Sequence, residues 1–403
     1  MAELKAFFLM SCMVITGALN TIFLSLQFSE KALGLPYSHP WFQTQNMFMG
    51  ELYCLLLYYF MKYVYYRNTE KEEAEEEENS PSVFLLALPA ACDFFASTLL
   101  AFALLNMATS VYQMLRGGLV LVTAVLSVIF LKKNQYRHHI LGLTIVFLSI
   151  FTLGLAGMLY KNTDKNARST NFLGIFMMGL SLLFTGVQFI LEELFLGKYT
   201  INPLKVVGLE GMWGVGFYAV SLVILQNVRC DNFWAKSDVC SVNANGEWRV
   251  EDSIFALEQI FNNKFLFFLV VASTFTIAFY NFFGVSVTKY ASSAQRAVVD
   301  NLRTILIWLF FMLVPTSIKE QFIWLQLFGF IGLVVGTLIY NEVIEIPCMD
   351  FDKYTKRNLE LEPNEEERNI INYAKRDDIS NYGVITPETD FSSKITIINK
   401  TIV

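Results

Sequence analysis

The sequence predicts an all-α integral membrane protein with ten transmembrane helices arranged as a 5+5 inverted repeat. Three observations carry this. Of 403 residues, 54% are hydrophobic and only 16% charged, whereas a soluble chain carries about a quarter charged residues. The apolar residues gather into ten blocks long enough to cross a bilayer. Landmarks of the first half recur in the second at a fixed offset. This composition excludes an ordinary cytosolic enzyme, a nucleic-acid binder and a disordered chain.

A spanning helix needs about 20 mostly apolar residues. Segments near 6–27, 43–65, 83–106, 110–131, 139–160, 171–196, 203–227, 265–288, 293–314 and 321–343 meet that need. The first follows only Met1–Lys5 and has no small-residue cleavage pattern, so it reads as a retained helix rather than a signal peptide. Ten spans put both termini on one side. With cytosolic termini, the cytosolic connections and the start of the tail hold thirteen Lys and Arg against nine on the other face. That bias favours cytosolic N- and C-termini.

The net charge of −6 is concentrated in two polar stretches. Residues 67–80 contribute −5 and residues 344–403 contribute −4, leaving the membrane body at +3. Block charge of this kind marks solvated, disordered sequence rather than a cation or substrate site. The domain reading follows: a first five-helix repeat over 1–160, a second over 171–343 with a lumenal loop at 228–264, and a cytosolic, largely disordered tail over 344–403.

The repeat rests on an offset of 187 residues. Arg116 falls on Arg303, Lys132 on Lys319 and Gly142 on Gly329. Each half then reads as a helix bearing an Arg, a basic turn and a final helix opened by Gly. The offset covers five spans, an odd number, so the halves run in opposite directions through the bilayer. Inverted repeats of this kind build many secondary transporters, with the substrate site near the midplane between halves. Gly208, Gly211 and Gly214 in span seven, and Gly329, Gly332 and Gly336 in span ten, favour close helix packing over a gating hinge.

Ionisable groups at membrane depth are costly and usually face a cavity or a partner. The candidates are Glu51, Asp93, Arg116, Glu192, Glu193, Glu210, Arg296, Asp300 and Arg303, with Gln113, Gln188 and Asn281 among their uncharged companions. Arg296, Asp300 and Arg303 share one helical face. Asp300 pairing with either Arg leaves one guanidinium for an anionic cargo group; a purely structural triad is the other reading. Gln113 and Arg116 are their counterparts in the first half. Glu51, Asp93 and Glu210 are candidates for proton coupling, or for structural pairing and capping. Glu192 and Glu193 lie near a helix end, where interfacial solvation accounts for both. The three His residues, His39, His138 and His139, fall in connections, and no P-loop or GxGxxG is present. No enzyme, metal or cofactor is therefore expected.

Cys12, Cys54 and Cys92 lie within spans and read as packing residues. Cys230 and Cys240 share the longest polar connection, where a disulfide would persist on an oxidising face; two unpaired thiols are the alternative. In the tail, Cys348 reads as a free thiol or an acylation site. Asn399-Lys400-Thr401 is a glycosylation sequon, unused if the tail is cytosolic. Thr401-Ile402-Val403 has the form of a ligand for β-augmenting domains.

The motifs MFMGELYCL (47–55), LPAACDFFAST (88–98), SVYQMLRGG (110–118), LEELFLGKYTINPLKVVGLEG (191–211), GVSVTKYASSAQRAVVDNLRTILIW (284–308) and GTLIYN (336–341) carry a resemblance. Through them, nearly all of residues 1–343 resemble the drug/metabolite transporter superfamily, and most closely the F branch of solute carrier family 35, related to nucleotide-sugar transporters. The resemblance implies Glu51, Asp93, Gln113, Arg116, Glu192, Glu210, Asp300 and Arg303 as the family's polar positions. It also implies an endomembrane setting, lysosome or vacuole first and Golgi second. The cysteine-bearing loop before span eight instead resembles the chloroquine-resistance transporters of the same superfamily, which are associated with digestive vacuoles and peptide-like cargo. Glu366, Ile370 and Ile371 resemble an acidic dileucine sorting signal for an adaptor.

The expected activity is alternating-access transport of a small polar or anionic metabolite. Gln113, Arg116, Gln188, Asn281, Arg296, Asp300 and Arg303 would bind the cargo, and Glu51, Asp93, Glu192 or Glu210 would couple it. A membrane scaffold or receptor that kept the fold without transport is the alternative, and truncation at Asn341 separates the two. The expected partners are the cargo, the bilayer and a sorting adaptor, with self-association into a homodimer also open.

Overall fold

The computed structural model describes residues 2–65, 81–107, 109–132, 135–159, 171–199, 201–230, 240–242, 246, 248–314, 324–340, 342–344 and 355. Contacts divide the chain into Met1–Ile346 and Pro347–Val403. The acidic stretch 67–80, Lys319, Cys348, the sequon and the tail signal Glu366, Ile370 and Ile371 lie outside the described residues.

Helices dominate. In order they are α1 (Ala2–Gln27), α2 (Pro40–Tyr65), α3 (Ala87–Leu105), α4 (Thr109–Arg116), α5 (Leu119–Leu131), α6 (Arg137–Leu159), α7 (Phe172–Lys198), α8 (Pro203–Leu225), α9 (Ser253–Asn262), α10 (Lys264–Tyr290), α11 (Ser293–Leu313) and α12 (Trp324–Tyr340). Five of the described helices, α1, α3, α7, α8 and α10, are long and apolar enough to cross a membrane alone. Their outward faces carry large apolar side chains such as Phe8, Phe95, Phe176, Val223 and Phe268. In water such faces would aggregate, and in a bilayer they are solvated by lipid. The chain is therefore an all-α, multi-pass membrane protein.

Four antiparallel helix pairs organise the body, α1 with α10, α2 with α8, α3 with α7 and α6 with α12, while α11 packs on α1 and on α4–α5; each of these packings joins the first half of the chain to the second. The halves interleave in one compact unit because each of these packings crosses between them. Small residues let the backbones approach. Along α8, Gly208, Gly211 and Gly214 meet Leu55, Glu51 with Leu52, and Phe48 in descending order on α2. Along α12, Gly329, Gly332 and Gly336 meet Leu153, Ser149 and Gly142 on α6. In lipid, packing of this kind replaces the hydrophobic drive that water supplies between helices.

Local signals fix several helix starts. Asn202 caps α8 by accepting from the Leu204 N–H, with Pro203 opening the helix. Asn263 caps α10 and Ser292 caps α11 in the same way. These side chains satisfy N–H groups that a helix start leaves without partners.

The structure departs from the sequence reading in three places. The span expected at 110–131 is broken after Arg116: Gly117 and Gly118 form a turn, and Gly118 N–H bonds back to Leu115. The 228–264 connection is not simply a loop. It contains α9 and a short antiparallel pair, β3 (Ser241–Val242) with β4 (Trp248–Arg249). His138 and His139 sit in the first turn of α6 rather than in a connection.

Between α1 and α2 a small hairpin pairs β1 (Lys31–Ala32) with β2 (Leu35–Pro36). Its two-residue turn puts Leu33 (φ 56°) and Gly34 (φ 80°) in the left-handed region, as strand twist favours. Gln259 of α9 donates to the carbonyls of Ala32 and Leu35, so α9 clips the hairpin down. This side of the bundle is called the hairpin end below.

Candidate functional site

A partly enclosed cavity opens within the bundle, its atom-free space about 720 Å³ with the adjoining open solvent included. Its walls come from α1, α2, α3, α4, α7, α10 and α11, so both halves of the chain contribute. Asn281 and Arg296 lie at its inner reach, while Leu24, Gln43 and Tyr112 lie within about a turn of helix ends at the hairpin end. At the opposite end, Glu193 accepts from the N–H and hydroxyl of Ser293, and Lys289 donates to the Ile201 carbonyl. Polar ties thus close the bundle at one end, and the cavity extends toward the other.

One pole of the cavity is basic. Arg303 donates to Asp300 at 3.0 Å one turn earlier on α11, and its guanidinium lies 4.7 Å from the centre of the Tyr280 ring. Tyr280 also donates its hydroxyl to Asp300 at 2.6 Å. Arg116, at the end of α4, reaches the same carboxylate at 3.6 Å. Two guanidiniums therefore share one acid. Arg116 is also the more accessible, with 15% of its side chain exposed against 2% for Arg303. Arg suits planar anionic groups because its fork can meet two oxygens at once.

The triad expected on α11 is divided. Arg296 turns away from Asp300, ion-pairs with Glu192 of α7 and packs on Phe189 at 3.8 Å from the ring centre. This corrects two expectations. Glu192 is buried and paired rather than solvated at an interface. The guanidinium left with the loosest partner is that of Arg116, not one on α11.

The other pole is acidic. Asp93 lines the cavity and accepts from Ser97 at 2.6 Å and Gln188 at 3.2 Å. Glu51 and Glu210 lie beyond the wall, each 3% exposed, on the faces of α2 and α8 that meet through glycine. Asn281, which does line the cavity, donates to Glu51 at 2.5 Å. In the middle of the bundle, five buried carboxylates (Glu51, Asp93, Glu192, Glu210, Asp300) face the three guanidiniums of Arg116, Arg296 and Arg303.

Gln113 lies on α4 beside these groups in sequence, and its side chain is outside the described residues. Sequence reasoning missed Tyr280, Ser97, Thr185 and Gln43 as lining residues. Only their polarity inside apolar blocks hinted at a role. It also missed Glu251, whose carboxylate meets His39 Nδ1 at 2.5 Å in the cap over the hairpin end, both residues buried. Cys230 and Cys240 are joined by a disulfide in the same cap.

Fold and site together define a class: a multi-pass α-helical membrane protein with a polar, partly enclosed chamber at membrane depth. The chain is 30% identical to "Solute carrier family 35 member F6" of Pongo abelii over 340 residues, covering 83% of this chain and 88% of that one. The Mus musculus protein of the same name is 32% identical with the same coverage. A protein of Schizosaccharomyces pombe is 28% identical over 84% of this chain and 98% of its own. The chain belongs to solute carrier family 35, in its F branch. No family model matches the chain. A crystal structure at 10% identity shares the fold, with a TM-score of 0.51 over 84% of this chain and 98% of that one.

Proposed function

We propose that the chain is a secondary transporter that carries a small polar or anionic metabolite across an endomembrane by alternating access. The observation that carries this reading is a polar cavity walled by helices of both halves. The helix pairing supports a 5+5 inverted repeat of ten spans, with α4 and α5 together forming one span and α9 lying outside the count. Exchanging the halves turns the α1–α10 pair into α3–α7 and leaves α2–α8, α4–α5 with α11, and α6–α12 in place. A bundle with that symmetry has two equivalent ways to close, one at each end, which is what alternating access requires.

Arg116 is the residue assigned to the cargo's anionic part, since it is the most exposed arginine on the cavity and holds Asp300 most loosely. Arg303 and Asp300 shape that pole, and Gln188 and Asp93 shape the other. The cysteine-bearing cap faces the lumen in this reading, which places both termini in the cytosol. A lysosomal or vacuolar membrane is proposed first and the Golgi second, with Glu366, Ile370 and Ile371 as the adaptor signal.

The test is uptake from a mixed extract of polar metabolites into proteoliposomes, read by mass spectrometry. Wild-type vesicles should concentrate or exchange specific anionic metabolites, and Arg116→Ala should lose them while keeping a monodisperse fold. Wild-type vesicles that retain nothing beyond protein-free liposomes would end the transport reading.

A further inference from the structure

Glu51 and Glu210 are not explained by the cargo cavity, which neither lines. They sit on neighbouring faces of α2 and α8, where a methyl group added to Gly211 would stand 2.6 Å from the Glu51 Cβ. Glu51 Oε2 and Glu210 Oε1 are both buried without a hydrogen-bond partner. Five charged or titratable side chains stand near the pair. Asp93 and Cys92 come from α3, Glu192 from α7, Arg296 from α11, and Cys54 from α2 itself. Arg296 is their one cation, and it is already engaged by Glu192. Two ionised carboxylates would therefore lie side by side in lipid-depth protein with no counter-charge of their own.

That arrangement needs a positive charge or a neutral form. A divalent metal ion requires several ligands converging on one point. Among the described residues, the one group of three His, Cys, Asp or Glu side chains close enough to do so is His138, His139 and Glu342, at the other end of α6 and α12. A proton needs no such set of ligands, and one proton neutralises the carboxylate that holds it.

We propose that Glu51 and Glu210 form a proton-binding site between α2 and α8, separate from the cargo cavity and connected to it through Asn281. The connection is specific. Asn281 Nδ2 donates to Glu51 Oε1, which favours the charged carboxylate, while the same side chain lines the cavity. Cargo that engages Asn281 withdraws that donor, and Glu51 then holds its proton more tightly. Cargo and proton are bound together and released together. This deepens the transport reading and rests on it for its purpose, though the site itself is readable without any cargo.

The experiment is infrared difference spectroscopy of the full-length protein in liposomes, between neutral and alkaline pH and between H2O and D2O. The expected result is a protonated-carboxyl C=O band at neutral pH that shifts in D2O and is lost in alkali. Glu51→Gln and Glu210→Gln should each remove part of it and the double variant more, while the exposed Glu258→Gln changes nothing. No such band in the wild type, or an undiminished band in the folded double variant, overturns the proposal. The wild-type spectrum decides even where a variant fails to fold. A band with no metabolite uptake would leave the proton site standing and remove the transport reading; uptake lost in Arg116→Ala with no band would do the reverse.

Discussion

The Arg116 guanidinium, at the end of the first half's broken span, lies 3.6 Å from the Asp300 carboxylate of the second half. That carboxylate is already held by Arg303 and Tyr280 on its own side. One acid therefore ties the two halves together at the cavity wall, and the tie to Arg116 is the looser of its ionic contacts.

Replacing Asp300 by Asn should leave two guanidiniums, Arg303 buried and Arg116 partly so, with no acid between them. Breaking a buried ion pair from one side costs about 3–5 kcal/mol, so Asp300→Asn should lower the thermal midpoint in detergent markedly. Arg303→Ala should do the same, because Arg303 is 2% exposed and packed on Tyr280. Arg116→Ala, at the more open position, should cost least in melting temperature and most in uptake.

A second prediction concerns the α6–α12 seam. A methyl group at Gly142 would stand 2.8 Å from the Gly336 carbonyl oxygen and from the Tyr340 nitrogen. Both are backbone atoms, which cannot rotate aside. Overpacking of this kind costs about 1–3 kcal/mol, so Gly142→Ala should lower the melting temperature. Ala at Gly179, which has nothing within 4 Å, should not.

The cap over the hairpin end gives a third prediction. The Cys230–Cys240 bond closes a loop ten residues apart, and a short loop of this size contributes about 2–4 kcal/mol where it forms without strain. The double Cys→Ser variant should expose the 228–250 segment to limited proteolysis while the helices stay protected. A maleimide probe should reach Cys230 and Cys240 only after reduction.

Alkaline pH gives a fourth. Tyr37, in the connection between α1 and α2, is buried, and burial followed by the nearby Glu251 charge pushes its hydroxyl well above the ordinary value of 10.0. The unfolded chain would ionise this group first, so the folded state keeps its proton longer. The stability involved is intact below pH 10 and falls as pH rises toward the raised value. Tyr37→Phe should flatten that decline in a melting-temperature series. It should cost little at neutral pH, because the Tyr37 hydroxyl has no hydrogen-bond partner to lose.

The membrane character of the fold is legible in the sequence because the bilayer demands it: apolar length and polar connections are visible residue by residue. The glycine triplets also read correctly, since close backbone approach has few other sources in lipid. What the sequence hides is partnership across distance. Glu192 looked like an interfacial acid because Arg296, which holds it, is 104 residues away. Arg296, Asp300 and Arg303 share a helical face by spacing, yet the first turns to Glu192 of α7, the second to Arg116 of α4 and the third to Tyr280 of α10. The break after Arg116 had a local signal, Gly117 beside Gly118, but apolar residues on both sides masked it. His39 and Glu251 form a buried pair from two connections, and nothing in either stretch announces the other.

The central claim is that the chamber opens alternately to the two sides. Ser97, in the cavity wall beside Asp93, is the position to test it, as Ser97→Cys in a chain with Cys12, Cys54, Cys92 and Cys348 changed to Ser. In sealed vesicles of known orientation, a membrane-impermeant thiol reagent should label this cysteine from either face, and Arg116→Ala should shift the balance between faces. Labelling from one face only, under every condition of pH and metabolite supply, would contradict alternating access.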